Sequence, residues 1–175
     1  MHFSSLFKFC PRCGSGSFIQ NTEKSKLCDD CGFEMFVNAS AAVALFILNN
    51  QNQLLICKRA KDPAKGAFDL PGGFVDENET VEQAIAREAK EELNVKVTKT
   101  SYLFSIPNQY EYCGWTIPTI DLFFLCETES FADLKAGDDV AEVEFIAAEL
   151  LHPDDFGFSS IRKGIMLFKQ KNHII

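Results

Sequence analysis

The segment Leu70–Val95 constrains this 175-residue chain more than any other. It demands a sharply bent backbone followed at once by a helix with acid where its apolar face should be. The bend is Leu70-Pro71-Gly72-Gly73-Phe74-Val75-Asp76. Its glycines let the backbone turn tightly and approach another group closely. Thr80-x-x-Gln83 is a capping-box pattern ahead of a run of good helix formers, which predicts a helix over 80–93. On a helical projection with Val81 at zero, Ala84, Ile85 and Ala89 make the buried stripe. Glu88 falls at about 340°, Glu92 at about 20° and Glu91 at about 280°, so all three carboxylates continue the direction of that stripe. An acid run is ordinarily a solvated face, but here the solvated side goes to Gln83, Arg87 and Lys90. Carboxylates turned inward repel one another and lose hydration. Divalent cations that prefer oxygen ligands offset both costs, and the i, i+3, i+4 spacing brings all three acids within reach of one small metal cluster.

Residues 1 to about 36 have little apolar periodicity but carry Cys10-Pro11-Arg12-Cys13 and Cys28-Asp29-Asp30-Cys31, each followed by Gly. Four thiolates in two C-x-x-C pairs suit tetrahedral Zn²⁺, and a closed Cys₄ shell is a structural site. Disulfides or a redox pair are the rivals, and a redox motif has no need to come twice. The metal would supply the folding energy that so small a core lacks. Cys57 and Cys126 read as small apolar core residues, and Cys113 as an exposed one.

From Ala39 onward the chain reads as α/β. Strands are expected at 41–48, 53–59, 95–106, 117–127 and 140–146, and a closing amphipathic helix at 159–171 with Ile161, Ile165 and Phe168 on one face. The expected division is a ribbon over 1–36 and a catalytic domain over 37–175. The longest apolar run, Ala39–Leu48, is too short to span a bilayer and reads as a buried strand. The net charge of −8 disfavours non-specific binding to nucleic acid or anionic membrane. With no targeting segment in Met1–Lys8 and paired thiols, the expected compartment is a reducing cytoplasm.

Read as one pattern, Gly73-x5-Glu79-x7-Arg87-Glu88-Ala89-x-Glu91-Glu92-x-Asn94-Val95 resembles the Nudix box, G-x5-E-x7-R-E-U-x-E-E-x-G-U. Asn94 departs from the motif's Gly, at a helix end where the left-handed conformation is wanted and Asn is the next most tolerant residue. The resemblance implies a Nudix-type α/β/α sandwich with a mixed sheet, preceded here by a small zinc ribbon. It implies hydrolysis of a diphosphate linkage with Mg²⁺ or Mn²⁺. Glu88, Glu91 and Glu92 would be metal ligands, with the choice of base among them open. Arg87 and Glu79 would support them, Arg87 positioning a carboxylate of the box, although a solvated helix cation is also an open reading of Arg87. Glu142 is the outside carboxylate best placed to complete the site by resemblance, and equally well a surface strand residue.

A Cys₄ ribbon running directly into such a domain resembles the NADH pyrophosphatase branch of the family. That branch carries S-Q-P-W-P-F-P after the box; Ser105-Ile106-Pro107-Asn108-Gln109-Tyr110 keeps only the Ser and first Pro. Gly73 and Phe74 after the bend, and Phe36 after the ribbon, occupy its substrate-contacting places. Both rings are read either as platforms for a base or as ordinary core. Tyr110 and Tyr112 read as loop residues. The expected activity is cleavage of NADH or NAD⁺ to AMP and nicotinamide mononucleotide. ADP-ribose and dinucleoside polyphosphates are alternatives. The expected partners are a nucleotide-type small molecule, a NAD-capped RNA end as the only nucleic acid, no membrane, and by analogy a homodimer. The competing class is a silent ligand-sensing module, which the retention of every box carboxylate opposes. A nucleic-acid-binding ribbon is weaker still, since only Lys24 and Lys26 are basic between Cys13 and Cys28.

Overall fold

The computed structural model describes residues 3–171, so the extreme ends of the two expected domains lie outside the described residues. By internal contact the chain divides into two units. One is Met1–Ser40 with Gln109–Pro118; the other is Ala41–Asn108 with Thr119–Ile175.

In the first unit β1 (Phe18–Thr22), β2 (Ser25–Cys28) and β3 (Glu34–Phe36) form an antiparallel sheet in that order. The polar stretch without periodicity, Gln20–Lys26, is the hairpin itself, with Gln20 opposite Lys26 and Thr22 opposite Ser25. Cys10, Phe18 and Cys28 form the core, with Phe7, Cys31, Phe33 and Met35 packed against it. Three of these seven residues are cysteines. A core this small does not hold a fold alone.

The second unit is built from β4 (Ser40–Ile47), β5 (Gln53–Arg59), β6 (Phe68–Asp69), α1 (Val81–Leu93), β7 (Val97–Tyr112), β8 (Trp115–Thr128), β9 (Val140–Ala147) and α2 (Ser159–Lys171), the outer ends of β7 and β8 over Gln109–Pro118 being counted with the first unit. Strands pair in the orders β4-β8-β7 and β6-β5-β9, with an antiparallel bridge Leu48↔Leu54 joining β4 to β5. The positive φ of Cys113 and Gly114 makes a two-residue turn between β7 and β8. That hairpin is longer than the periodicity predicts: Tyr110 and Tyr112 lie in β7 with stacked rings 6.4 Å apart, not in a loop.

Alternation explains why β4 and β5 read as unbroken apolar runs. Val43, Leu45, Ile47, Leu55 and Cys57 pack on one side with Ala84, Ile85, Ala89 and Leu93 of α1. Ala44, Phe46, Leu54 and Ile56 pack on the other with Ile161, Ile165 and Phe168 of α2. A sheet covered on both faces by helices needs no polar face, and this is the α/β/α layering expected. Phe46 is fully buried and stacks on Phe168 at 4.3 Å. Cys57 and Cys126 are buried and Cys113 is exposed, as the sequence suggests. Among the described residues no helix is long and apolar enough to cross a membrane.

Both ends of α1 are fixed locally. Thr80 accepts from the Gln83 amide and its own amide donates to the Gln83 side chain, completing the capping box. Asn94 takes the left-handed conformation, φ 54°, ψ 32°, and its amide donates to Lys90 O. Gly137 N and Lys135 N donate to Glu92 O and Leu93 O, closing the carbonyl end of the helix.

Candidate active site

The bend and the helix meet along the inward edge of α1. Residues Leu70 to Val75 run beside β4: Leu45 N donates to Pro71 O at 2.9 Å, Val43 N to Gly73 O at 2.8 Å and Val75 N to Ala41 O at 3.0 Å. The amide of Gly72 turns to the helix and donates to Glu92 Oε2 at 2.8 Å. No larger residue fits at Gly72, where backbone stands in the way, whereas at Gly73 the Glu88 carboxylate would have to move. A Cβ on Gly72, whose φ is 138°, would stand 2.0 Å from Val43 O, and one on Gly73 would stand 2.4 Å from Glu88 Oε1.

Arg87 organises the outer part of the site and is not a free solvated cation. Its Nε and Nη2 each donate to Glu79 at 2.9 Å. Its Nη1 donates to Glu88 at 2.8 Å and Glu91 at 3.1 Å, and Nη2 also reaches Phe74 O at 2.9 Å. All five guanidinium hydrogens are thereby used. The bidentate pair with Arg87 holds the Glu79 carboxyl below its usual range.

The three helix acids are not equivalent. Burial pushes Glu88 up against the lowering effect of Arg87. Burial pushes Glu92 further, to about 8, with Glu88, Asp69 and Asp138 adding repulsion and the Gly72 amide opposing it. The expectation that all three point inward needs correction for Glu91, whose side chain is 50% exposed. At the margin of the stripe it reaches out to Arg87 rather than in. Two inward carboxylates with raised pKa values suit a hard cation such as Mg²⁺ or Mn²⁺, which would remove both their repulsion and their desolvation cost.

Glu142 stands opposite Lys58 in the β5–β9 register and pairs with it at 3.4 Å, its side chain 73% exposed. The Phe74 ring is 39% exposed and the Phe36 ring, at the end of β3 in the first unit, 52% exposed, so neither is a core phenylalanine. In the first unit, the Sγ atoms of Cys10, Cys13, Cys28 and Cys31 lie within 4.8 Å of one another. The separations of 3.7 Å (Cys10–Cys31) and 3.6 Å (Cys13–Cys28) match the ~3.8 Å edge of a tetrahedron with Zn–S bonds of about 2.3 Å. They are far longer than a disulfide. Two matching turns present the thiolates, with Gly14 N donating to Cys10 O and Gly32 N to Cys28 O.

Sequence reasoning missed three charged residues near the acids. Asp138 follows Gly137 in the loop that caps α1 and adds its charge to Glu88 and Glu92. Asp69 lies just before the bend, paired with Arg59 at 2.9 Å. The available signal was an Asp inside the otherwise apolar lead-in to Leu70-Pro71-Gly72-Gly73.

The family model described as NUDIX domain matches residues 38–165. An ADP-ribose pyrophosphatase from Methanocaldococcus jannaschii is 35% identical over 78% of this chain and 79% of its own length. A NAD-capped RNA hydrolase NudC from Vibrio atlanticus is 27% identical over 86% of this chain, which spans only 58% of that relative. Among solved structures, a NUDIX hydrolase from Nitrosomonas europaea superposes with TM-score 0.72 at 25% identity, covering 95% of this chain and 92% of that one.

Proposed function

Because this chain belongs to the Nudix family, we propose that it hydrolyses the diphosphate linkage of an ADP-linked substrate with Mg²⁺ or Mn²⁺ held by Glu88, Glu91 and Glu92. The observation that carries the reading is the pair of inward carboxylates, Glu88 and Glu92, set against the Gly72–Gly73 bend with Arg87 bridging the outer acids. The ribbon would hold a structural Zn²⁺ on Cys10, Cys13, Cys28 and Cys31.

When bound, the divalent cation neutralises the diphosphate and acidifies a water. Arg87, spent on Glu79, Glu88, Glu91 and Phe74 O, acts through the carboxylates and not on substrate. Burial raises the Glu92 carboxyl to about 8, so a cation held there would compete with its proton. Attack of the water oxygen on one phosphorus forms one P–O bond and breaks the bridging one. The water's protons pass to a basic group of the site and to the leaving phosphate, leaving two monophosphates. Glu142 is proposed as an outlying ligand that must leave Lys58 to take part.

The sequence favours NADH or NAD⁺ as substrate, through the ribbon-bearing branch. A second reading, ADP-ribose, is favoured by the archaeal relative, which matches over more of its own length than the NudC protein does. Both substrates offer an adenine, for which the exposed Phe74 side chain is the proposed platform. Stacking contributes about 1–3 kcal/mol per base, so Phe74→Ala is expected to raise KM by about 5- to 150-fold with little change in kcat. The test is a product assay with NADH, NAD⁺, ADP-ribose, a diadenosine polyphosphate and a NAD-capped RNA, with Glu92→Gln as control. AMP released from one preferred substrate, and not by the control, is the expected result. A folded, metal-loaded protein that cleaves none of them contradicts the reading and favours a sensing module.

A further inference from the structure

We infer that the Arg59–Asp69 ion pair is a positioning element of the carboxylate centre, fixing the entry to the bend whose Gly72 amide holds Glu92. The inference rests on the reading of Glu92 as a metal-facing carboxylate. Neither residue belongs to the box, and neither is placed among ligands or substrate contacts above.

Asp69 is the last residue of β6 and pairs with Cys57 of β5, so the ladder stops there. Leu70 is buried, and its amide has lost the sheet as a partner. Asp69 Oδ1 accepts from that amide at 2.9 Å. A buried amide without a partner is costly, so this bond selects the backbone path into Pro71. Asp69 Oδ2 takes Arg59 Nη1 at 2.9 Å. Arg59 is itself fixed: Nε donates to Pro63 O at 2.7 Å and the guanidinium lies 4.8 Å over the Phe158 ring. Both side chains are mostly enclosed, at 17% and 13% exposed. The bend is thus held at Leu70 by this pair and at Pro71 and Gly73 by β4. Two residues beyond Leu70, the Gly72 amide meets Glu92.

Charge offers a rival explanation of any effect at these residues, and it makes the two variants diverge. Asp69 faces Arg59, Glu92, Asp121 and Cys57. If the pair acted only through its charge, Asp69→Asn would leave a cation near the site and weaken metal binding, while Arg59→Gln would leave an anion and strengthen it. A positioning role predicts that both variants weaken it. Losing a partner that orients a metal ligand costs about 10- to 100-fold in affinity or activity.

The experiment titrates Mn²⁺ into wild type, Asp69→Asn, Arg59→Gln, Arg59→Lys and Glu92→Gln, following the free-ion signal by electron paramagnetic resonance. Melting is measured alongside, with kcat and KM on whichever substrate wild type cleaves. The expected result is a 10- to 100-fold weaker Mn²⁺ affinity and lower kcat, at unchanged KM, in both Asp69→Asn and Arg59→Gln, with partial recovery in Arg59→Lys. Tighter Mn²⁺ binding in Arg59→Gln, or affinities within twofold of wild type in folded variants, overturns the inference. If Asp69→Asn and Arg59→Gln fail to fold, Arg59→Lys decides alone: weakened Mn²⁺ affinity at a preserved melting point supports positioning, and unchanged affinity refutes it. Mn²⁺ affinity unchanged in Glu92→Gln strikes the underlying reading instead.

Discussion

In the first unit the core is Cys10, Phe18 and Cys28 with a few half-buried side chains around them, Cys31 among these, whereas in the second both faces of β4 and β5 are filled by α1 and α2. The contrast separates two uses of a metal. Soft thiolates set 3.6–3.7 Å apart stand where a hydrophobic core would be, so a metal held there would be part of folding. Hard carboxylates sit at the rim of a core that is already complete, and their raised pKa values mean that the fold tolerates them at a cost. On the proposed reading, metal at the second place would relieve that cost and serve chemistry.

Removing zinc from one unit and core volume from the other tests the contrast most severely. Stripping zinc is expected to abolish amide-exchange protection in β1–β3, since structural zinc contributes about 10 kcal/mol or more to such modules. Protection in β4, β5 and the two helices should survive. Protection retained in β1–β3 after verified zinc loss breaks the comparison. The converse perturbation is Phe46→Ala, which removes a ring stacked on Phe168 and should destabilise the second unit by about 3–5 kcal/mol. Co²⁺ substituted into the thiolate site should keep its visible spectrum in that variant, and its disappearance would mean that the units do not hold together independently.

A pH series sharpens the comparison. Glu92 binds its proton more tightly folded, at about 8, than at its ordinary 4.5. Its contribution to stability is therefore full at low pH and is lost as pH rises through 4.5 towards 8. Without divalent metal, melting temperature should fall over that window. Mg²⁺ or Mn²⁺ must displace the proton, so affinity should drop by up to about tenfold for each pH unit below 8. A metal affinity flat between pH 6 and 8 would remove Glu92 from the binding step. The smallest expected effect is at the end of α1: Asn94→Ala places a β-carbon in the left-handed region and should cost about 1–2 kcal/mol without changing metal affinity.

Much of this was legible because α1 and α2 carry their instructions locally. The Thr80–Gln83 box, the left-handed Asn94 and the Ile161, Ile165, Phe168 stripe each depend on residues a turn or two apart. The inward placement of Glu88 and Glu92 follows from the same periodicity, and Glu91, on the margin of the stripe, is where that reasoning fails. What was not legible depends on distant partners. β1–β3 have no periodic signal because their order comes from thiolates 15 and 21 residues apart. The outer ends of β7 and β8 follow from strand pairing rather than burial. Lys58 opposite Glu142, and Arg59 beside Asp69, are set by the β5–β9 and β5–β6 registers, which single-strand patterns do not encode.

The most direct test of the carboxylate centre is Mn²⁺ binding to zinc-loaded protein at pH 8, wild type against Glu88→Gln/Glu92→Gln. The account predicts that the double variant keeps its zinc, melts no lower without Mn²⁺ than wild type, and loses Mn²⁺ binding together with diphosphate hydrolysis. A double variant that binds Mn²⁺ as wild type does and still cleaves its substrate would place the catalytic metal elsewhere and contradict it.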